Sequence, residues 1–208
     1  MFFEFPHGIF PMGQFLSASL IPELTPGHMI CGTGADIVFA FPVMRQIMAW
    51  LGTHPASRAN ISKIFKKGYQ CAIMPGGIAE MYLVNDKTES IFLLKRRNTV
   101  KVAIQEGANI VVLFAFGNTR LFNIPSKDQS HSLLSQISRK MRASIVFFWP
   151  FPKRHPIRLV TGDIVSVQQC DNPTEAQIDE VLARLIESIE KLYRDKKPAW
   201  ETRPLVIT

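Results

Sequence analysis

The feature that most constrains the fold is an almost continuous apolar run from Asn109 to Phe116, bounded by Gly107 and Gly117. Such a run between turn residues is typical of a strand that is buried on both faces, as in a parallel sheet. A strand of this kind needs helices packed on both faces of its sheet. We therefore expect strands that alternate with helices, which is the pattern of the α/β class.

The middle of the chain supplies such alternating segments. Ser57 is a good N-cap for a short amphipathic helix that stops at Gly68, and Thr99–Glu106 predicts a helix that ends at Gly107. Further helices are predicted at Val43–Leu51 and Ser130–Arg142, and strands at Tyr69–Met74, Ser90–Leu94, Ser144–Trp149 and Arg158–Val167, the last as a strand pair or one bent strand.

The clearest helix opens at Pro173-Thr174, where Thr174 is the predicted cap. Its apolar residues recur at helical spacing on one face out to Tyr193, and basic residues gather at its end, where the helix dipole favours cations. The helix therefore has one face to bury against the predicted sheet.

Three segments carry weaker signals. Residues 1–26 are predicted to form a strand end, a turn around His7 and an apolar connection broken by prolines. Residues 31–41 are predicted as strand or loop, and residues 198–208 as irregular or extended. At 208 residues, we predict a single domain over 1–208, with a mixed, mostly parallel central sheet flanked by helices.

The charge balance narrows the possible partners. A net charge of +7 favours an anionic partner, such as a nucleic acid, an anionic membrane surface or a phosphate-rich molecule like coenzyme A. The alternative is a basic surface that binds no particular partner. Basic residues are not interleaved with aromatic residues in any nucleic-acid motif, so we expect no nucleic-acid partner. No apolar window reaches the ~18 residues of a spanning helix. The first fifty residues are nevertheless unusually apolar, and are either buried or dip into a bilayer surface.

Several familiar catalytic signatures do not occur in the sequence. There is no Gly-x-Ser-x-Gly elbow, no His-Glu-x-x-His helix and no Walker loop. The three cysteines show no Cys-x-x-Cys spacing, and four of the five histidines have no metal-ligand spacing to one another. We therefore expect no metal, no resident cofactor and a reducing, cytosol-facing location.

The first candidate site pairs a histidine with a carboxylate. His7 lies between Pro6 and Gly8, and an imidazole exchanges protons near neutral pH. Glu80 follows the turn Pro75-Gly76-Gly77 at the end of a predicted strand, where functional residues of α/β sheets usually lie. A carboxylate can orient an imidazole base and stabilise the imidazolium. The alternatives are a structural histidine in a turn and a glutamate that meets a helix dipole.

The second group of candidates would bind substrate. Gly76 and Gly77 allow backbone N–H groups to approach an oxyanion, as Gly8 does, or they simply form a tight turn. Arg58 and the arginines of Lys95-Arg96-Arg97 suit a phosphate, because arginine binds phosphate through two parallel hydrogen bonds. The alternative for the basic triplet is a solvated surface.

Several of these segments, taken together, resemble the diacylglycerol acyltransferase type 2 family, which includes monoacylglycerol and wax-ester acyltransferases. The resemblance covers nearly the whole chain in the order of the family. The matching segments are Phe5-Pro6-His7-Gly8, Pro75-Gly76-Gly77-Ile78-Ala79-Glu80, Arg96–Ala103, Glu106–Val112, Phe116-Gly117-Asn118, Val160–Ile164 and the helix that opens at Pro173-Thr174.

The resemblance implies roles for individual residues. His7 corresponds to the catalytic histidine of the family's His-Pro-His-Gly motif, and Glu80 to the acidic residue thought to partner it. Arg58 falls on an arginine that contacts the acceptor or a phosphate in the wider superfamily. The resemblance further implies acyl-CoA as co-substrate and diacylglycerol or another lipid alcohol as acceptor.

The sequence also departs from the family pattern. Phe5 stands where the family has its first histidine, and Met12 stands where the wider superfamily has an aspartate, so Glu80 remains the candidate partner of His7. Residues 96–99 read Arg-Arg-Asn-Thr in place of Arg-Lys-Gly-Phe. The N-terminal membrane hairpin of the family is not in this sequence.

The expected function is transfer of a fatty acyl group from acyl-CoA to diacylglycerol, giving triacylglycerol at a membrane surface. The expected location is the cytosol-facing endoplasmic reticulum membrane or a lipid droplet. Other acceptors are monoacylglycerol and a wax alcohol. The alternatives from other classes are an acyl-CoA thioesterase or hydrolase, and a non-catalytic lipid-binding relative.

Overall fold

The computed structural model describes residues 1–122 and 152–208. The predicted helix Ser130–Arg142 and strand Ser144–Trp149 lie outside the described residues. The strands are β1 (Phe2–Phe5), β2 (Ile30–Gly34), β3 (His54–Pro55), β4 (Gln70–Ile73), β5 (Glu89–Ile91), β6 (Ile110–Phe116), β7 (Arg158–Val165) and β8 (Leu205–Ile207). The helices are α1 (Met12–Leu24), α2 (Asp36–Ala40), α3 (Pro42–Trp50), α4 (Arg58–Lys66), α5 (Ile78–Met81), α6 (Arg97–Gln105) and α7 (Glu175–Lys196), with a 3-10 turn at Asn118–Arg120.

Within the described residues, a six-stranded sheet has the strand order β3-β2-β4-β1-β6-β7. Neighbouring strands are parallel except for β6 and β7, which are antiparallel. Strands β5 and β8 form a separate parallel pair. The predicted α/β class, with a mixed and mostly parallel sheet flanked by helices, is confirmed.

The apolar run that favoured this class is β6, and six of its seven residues are buried. It lies between β1 and β7, so its edges are paired on both sides. Strand β7 is one strand with an irregular register opposite Val111–Leu113. The tail is ordered as well, because Leu205–Ile207 form β8.

Helix α7 forms as its sequence pattern predicts. Thr174 and Gln177 form a reciprocal capping box at its start, with the Gln177 amide donating to Thr174 Oγ1. The predicted apolar face is buried against β6 and β7, through Ile178, Val181, Leu182, Leu185, Ile189, Leu192 and Tyr193. The Ser57 cap of α4 is also present, since its hydroxyl accepts from the Asn60 amide.

Helices α1 and α2 correct the prediction for the first forty residues. Met12–Leu24 is helical although Pro22 lies inside it, and Asp36–Ala40 is helical rather than strand or loop. Tertiary contacts outweigh the proline signal in α1. A Cβ on Gly13 would lie 2.3 Å from Ala115 Cβ, so only glycine allows this approach of helix and strand. Pro22 lies in the last turn, so its missing N–H removes a hydrogen bond near the helix end and leaves the preceding turns intact.

No helix among residues 1–122 and 152–208 has the length and apolar character needed to cross a bilayer.

Buried Glu4 predicts a pH-dependent stability. Burial raises its pKa to about 7 from 4.5, although the Ser17 hydroxyl donates to the carboxylate. Because the folded protein holds this proton more tightly than the unfolded chain, stability falls as pH rises from 4.5 to 7. We expect Glu4→Gln to raise the free energy of unfolding by up to roughly 3 kcal/mol at pH 8.

The measurement is urea unfolding of both proteins at pH 5 and pH 8. The gain should largely vanish at pH 5, where the wild-type carboxyl is already protonated in the folded state. Glu23→Gln, at an exposed position on α1, is the matched control and should change stability little at either pH. An equal gain for Glu4→Gln at both pH values would contradict the prediction.

Candidate active site

Three turns that follow neighbouring strands meet at one edge of the sheet. Strands β4, β1 and β6 are adjacent and parallel, so their carboxyl ends share that edge. The turn after β1 carries His7, the turn after β4 carries Gly76 and Gly77, and the turn after β6 carries Asn118. Ligands of open α/β sheets usually bind at this edge.

The structure brings His7 and Glu80 together. Glu80 lies in the single turn of α5, and only 1% of its surface is exposed. Its Oε2 accepts a hydrogen bond of 2.6 Å from the backbone amide of His7, and its Oε1 accepts one of 2.9 Å from the amide of Phe92. The carboxylate thus binds the main chain that carries the imidazole, whereas the sequence predicted that it orients the ring.

The imidazole of His7 is oriented by its own turn. Its Nδ1 lies 2.9 Å from the carbonyl oxygen of Gly8. When Nδ1 carries the proton of this hydrogen bond, Nε2 carries the lone pair. Burial lowers the pKa of His7, while the Gly8 carbonyl opposes that change. A neutral imidazole at pH 7 is the form that can accept a proton.

Burial raises the pKa of Glu80 to about 7, against the opposing effect of the amides of His7 and Phe92. Glu89 raises it further, and Arg96 lowers it. The carboxyl therefore changes its charge near neutral pH. Since its amide partner belongs to His7, a titrating acid lies directly beside the candidate base.

Asn118 is a site residue that the sequence analysis did not single out. Its side-chain nitrogen donates to the carbonyl oxygens of Pro6, at 3.2 Å, and His7, at 2.9 Å, and its oxygen accepts from the amide of Gly13. The residue is 1% exposed. Asn118 thus joins the His7 turn to the start of α1. The sequence signal that could have identified Asn118 is its position directly after a buried strand and the turn residue Gly117.

The glycines of the site either leave no room for a side chain or have a positive φ angle that favours glycine. Gly8 has a φ of +64°, and a Cβ there would lie 2.7 Å from the side-chain nitrogen of Asn118. Gly77 has a φ of +54° and precedes α5. A Cβ on Gly76 would lie 2.0 Å from Oε1 of Glu80. The glycine at 76 therefore leaves the space that the carboxylate occupies.

We expect Gly76→Ala to destabilise the protein by about 2–4 kcal/mol, because the added methyl group displaces the Glu80 carboxylate from two buried amides at about 1–3 kcal/mol each. Chemical denaturation would measure this loss. Gly34→Ala is the matched control, since a Cβ at Gly34 meets no atom closer than 3.6 Å. Equal stability of the two variants would show that the carboxylate can move without cost.

A cavity of about 780 Å³ opens beside this edge. Its lining is mostly apolar, with Asp36 and Arg96 as the charged residues. The remaining lining residues come from the turn before α2, α2 itself, the segment before α4, the turn after β4, α5 and the residue after β5: Ala35, Ile37, Ala40, Ala56, Pro75, Gly77, Ile78, Ala79 and Phe92. His7 is not among them. Glu80, which follows Ala79 directly, connects the cavity wall to the His7 turn.

The three predicted phosphate-binding arginines lie in different surroundings. Arg96 lines the cavity, where Nη2 donates to the Gly76 carbonyl at 2.7 Å and the guanidinium lies 4.9 Å from the Phe92 ring centre. Its buried Nε has no hydrogen-bond partner among the described residues. Arg97 instead forms ion pairs with Glu175 and Asp179 of α7. Arg58 is exposed at the first position of α4.

No group of three histidine, cysteine, aspartate or glutamate side chains in the described part of the chain is arranged to hold a metal ion. The described residues of the site provide one imidazole, one buried acid, backbone amides and, on the cavity wall, the charges of Arg96 and Asp36. Such a set can move a proton and bind an anionic, largely apolar substrate.

Comparison with known proteins gives a consistent result. The family model described as "Diacylglycerol acyltransferase" matches residues 1–207.

Diacylglycerol O-acyltransferase 2-like protein 6 of Bos taurus is 26% identical over 97% of this chain and 68% of its own length. The 2-acylglycerol O-acyltransferase 1 of Bos taurus is 27% identical, over 92% and 63%. Diacylglycerol O-acyltransferase 2B of Umbelopsis ramanniana is 27% identical, over 90% and 60%. This chain thus spans roughly two thirds of the length of such relatives. No solved structure matches it.

Proposed function

Because this chain belongs to the diacylglycerol acyltransferase family, we propose that it transfers a fatty acyl group from acyl-coenzyme A to a lipid hydroxyl, with diacylglycerol as the acceptor. The observation that carries the proposal is the junction of the His7 turn with Glu80 beside an apolar cavity. We further propose that the reaction takes place at the cytosol-facing surface of the endoplasmic reticulum membrane or of a lipid droplet.

In the proposed reaction, Nε2 of His7 takes the proton of the acceptor hydroxyl. The oxygen attacks the thioester carbonyl, a C–O bond forms, and the C–S bond then breaks. The leaving thiolate of coenzyme A takes the proton back from the imidazolium, so no metal and no further reactant is needed. The Gly8 carbonyl next to Nδ1 supports this role, because it favours the tautomer with a free Nε2.

Glu80 has a positioning role in this proposal. Its hydrogen bond to the His7 amide holds the backbone of the base, and Asn118 holds the two carbonyls on either side of that amide. A base fixed from both sides keeps its ring near the reacting atoms, which is worth several orders of magnitude in rate. Amide groups of the turns at Gly8 and Gly76-Gly77 would stabilise the oxyanion.

The cavity supplies a place for the donor. Its apolar lining suits a fatty acyl chain, and Arg96 on its wall suits a phosphate of coenzyme A, with its unpartnered Nε as one donor. Arg58 is exposed at the start of α4, so it suits a more distant phosphate. Arg97 would have to break its ion pairs with two carboxylates before it could bind a phosphate.

The test is incubation of the full chain with radiolabelled acyl-CoA and detergent micelles that contain monoacylglycerol, diacylglycerol and a long-chain alcohol. Chromatography of the lipids should show label in triacylglycerol. Label that accumulates as free fatty acid whether or not an acceptor is present would instead identify a hydrolase. Lipid binding without any turnover would identify a non-catalytic relative and overturn the proposal.

A further inference from the structure

One side of the molecule exposes an apolar surface that the proposed reaction does not use. We call it the apolar face and define it as Met29, Phe41, Val43, Trp50 and Leu51. These residues are exposed to 64%, 57%, 73%, 76% and 45%. Large apolar side chains that are exposed together often mark a docking surface, whereas single exposed ones are common on any protein.

Helix α3 carries the centre of this face. Its inner side is half-buried through Met44, Ile47 and Met48, while Val43 and Trp50, two turns apart, point outward. No residue of α2 or α3 is fully buried. A helix that leaves its most apolar side chains in water has not found a partner within the described residues.

Backbone contacts place Met29 and the end of α3 near the first residues of the strands. The amide of Gln70 donates to the carbonyl of Met29 at 2.7 Å, which places Met29 beside the turn that follows Lys66 and Lys67. A Cβ on Gly52 would lie 3.9 Å from the carbonyl oxygen of Ile30. The end of α3, Met29 and the end of α4 therefore lie near the amino ends of β2 and β4.

The segment of the chain that carries the face is basic. Residues 27–68 contain five basic residues and a single acidic one, Asp36. The basic residues are Arg45, Arg58, Lys63, Lys66 and Lys67. This composition complements an anionic surface. It disfavours a second copy of the chain as the partner, because a symmetric contact would bring like charges together.

The face also adjoins the mouth of the cavity. Asp36, Ile37 and Ala40 of α2 line the cavity, and Phe41 follows Ala40 directly. A surface bound at the Phe41 end of the apolar face therefore lies next to the cavity entrance. Tryptophan is the side chain most enriched at the boundary between lipid and water, and Trp50 is the most exposed residue of the face.

We propose that the apolar face docks on an anionic phospholipid surface, with Phe41, Val43 and Trp50 inserted at headgroup depth and the lysines of α4 against the headgroups. This inference rests on the proposed function, because lipid substrates then enter the cavity from the docked surface. It assigns the docking to the α2–α3 region of this chain and requires no helix that crosses the bilayer.

The experiment is sedimentation of the full chain with phosphatidylcholine vesicles and with vesicles that also contain phosphatidylserine. We expect binding that requires the anionic lipid and weakens with added salt. The double variant Val43→Ser, Trp50→Ser should lower the partition constant at least about tenfold, since two large apolar side chains no longer leave water. Lys63→Glu with Lys66→Glu should lower it to a similar degree.

The matched controls lie elsewhere on the surface. Ile164→Ser removes an apolar residue that is 65% exposed on β7, at the opposite edge of the sheet, and Lys87→Glu changes an exposed lysine outside the face. Both controls should bind vesicles as the wild type does. Equal binding of the Val43/Trp50 variant and the wild type would overturn the inference, as would a wild-type dimer that the same variant dissociates.

Acyl transfer in detergent micelles separates this inference from the proposed function. The Val43/Trp50 variant should keep its turnover in micelles, where no bilayer has to be reached. Vesicle binding without turnover in micelles would overturn the proposed function and leave the docking face intact. Turnover in micelles without any vesicle binding would overturn the docking face alone.

Discussion

Replacing His7 by alanine should reduce acyl transfer by about 10²–10⁴-fold, the usual contribution of a positioned general base. The fold should survive. Within the described residues, the imidazole contacts the carbonyl of Gly8, whereas the main chain of the turn is held by Glu80 and Asn118. The measurement is the rate of label transfer from acyl-CoA, with circular dichroism and thermal unfolding to show that the variant is folded.

His28→Ala is the matched control for this experiment. His28 is exposed in the turn after α1 and lies outside the three turns of the site. It should retain the full rate. A folded His7→Ala protein with unchanged turnover would remove His7 from the mechanism, whatever the family resemblance implies. A loss of both activity and fold would show that the turn, not the base, had been damaged, and His7→Gln would then repeat the test with a side chain of similar size.

Replacing Arg203 by methionine should cost about 3–5 kcal/mol of stability, the usual result of breaking a buried ion pair on one side. Arg203 is 4% exposed and donates to Glu89 at 2.5 Å, to Glu201 at 2.7 Å and to Thr119 at 3.0 Å. Its removal leaves two carboxylates buried without their main partner. Urea unfolding at pH 7 would measure the loss.

The exposed ion pair of Arg194 with Asp195 provides the matched control. Arg194→Met should change stability by less than about 1 kcal/mol, because exposed pairs contribute little. A double variant, Arg203→Met with Glu89→Gln, should recover part of the lost stability, since it removes one of the unpaired charges. A loss at Arg203 no larger than that at Arg194 would show that the carboxylates find other partners.

The two carboxylates of this network have opposite pH dependences, since burial raises the pKa of Glu89 to about 7 whereas that of Glu201 is lowered. Burial raises the pKa of Glu201, but hydrogen bonds from Arg203 and Arg120 outweigh it and hold the pKa at about 2. Because the folded pKa is depressed below the value of 4.5, the contribution of Glu201 is present above pH 4.5 and is lost as pH falls towards 2. This dependence is opposite in sign to that of Glu4.

The elements with strong local signals were predictable from the sequence. Strand β6 has a continuous apolar run, and α7 has a cap and a regular apolar face, so both form where the pattern places them. Helix α1 was not predictable, because its signal is a proline and its stability lies in the contact of Gly13 with Ala115 and the bond of Ser17 to Glu4. These contacts join residues that are far apart in the chain.

The sequence predicted which residues form the site better than it predicted the hydrogen bonds between them. The sequence predicted that His7 and Glu80 each follow the end of a strand, and the structure shows that these strands are neighbours and brings the two residues together. That the carboxylate meets the amide and not the ring depends on where α5 begins, which no local pattern specifies. The same holds for Arg97, whose acidic partners lie on α7, some eighty residues later in the chain.

The parallel pairing of β8 with β5 makes the last few residues part of the structural support of the site. The amides of Leu93 and Leu94 donate to the carbonyl of Thr208, and Arg203 reaches Thr119, the neighbour of Asn118. Substitutions that break the pairing of β8 with β5 would therefore loosen the turn that holds the candidate base, although they touch no reacting atom.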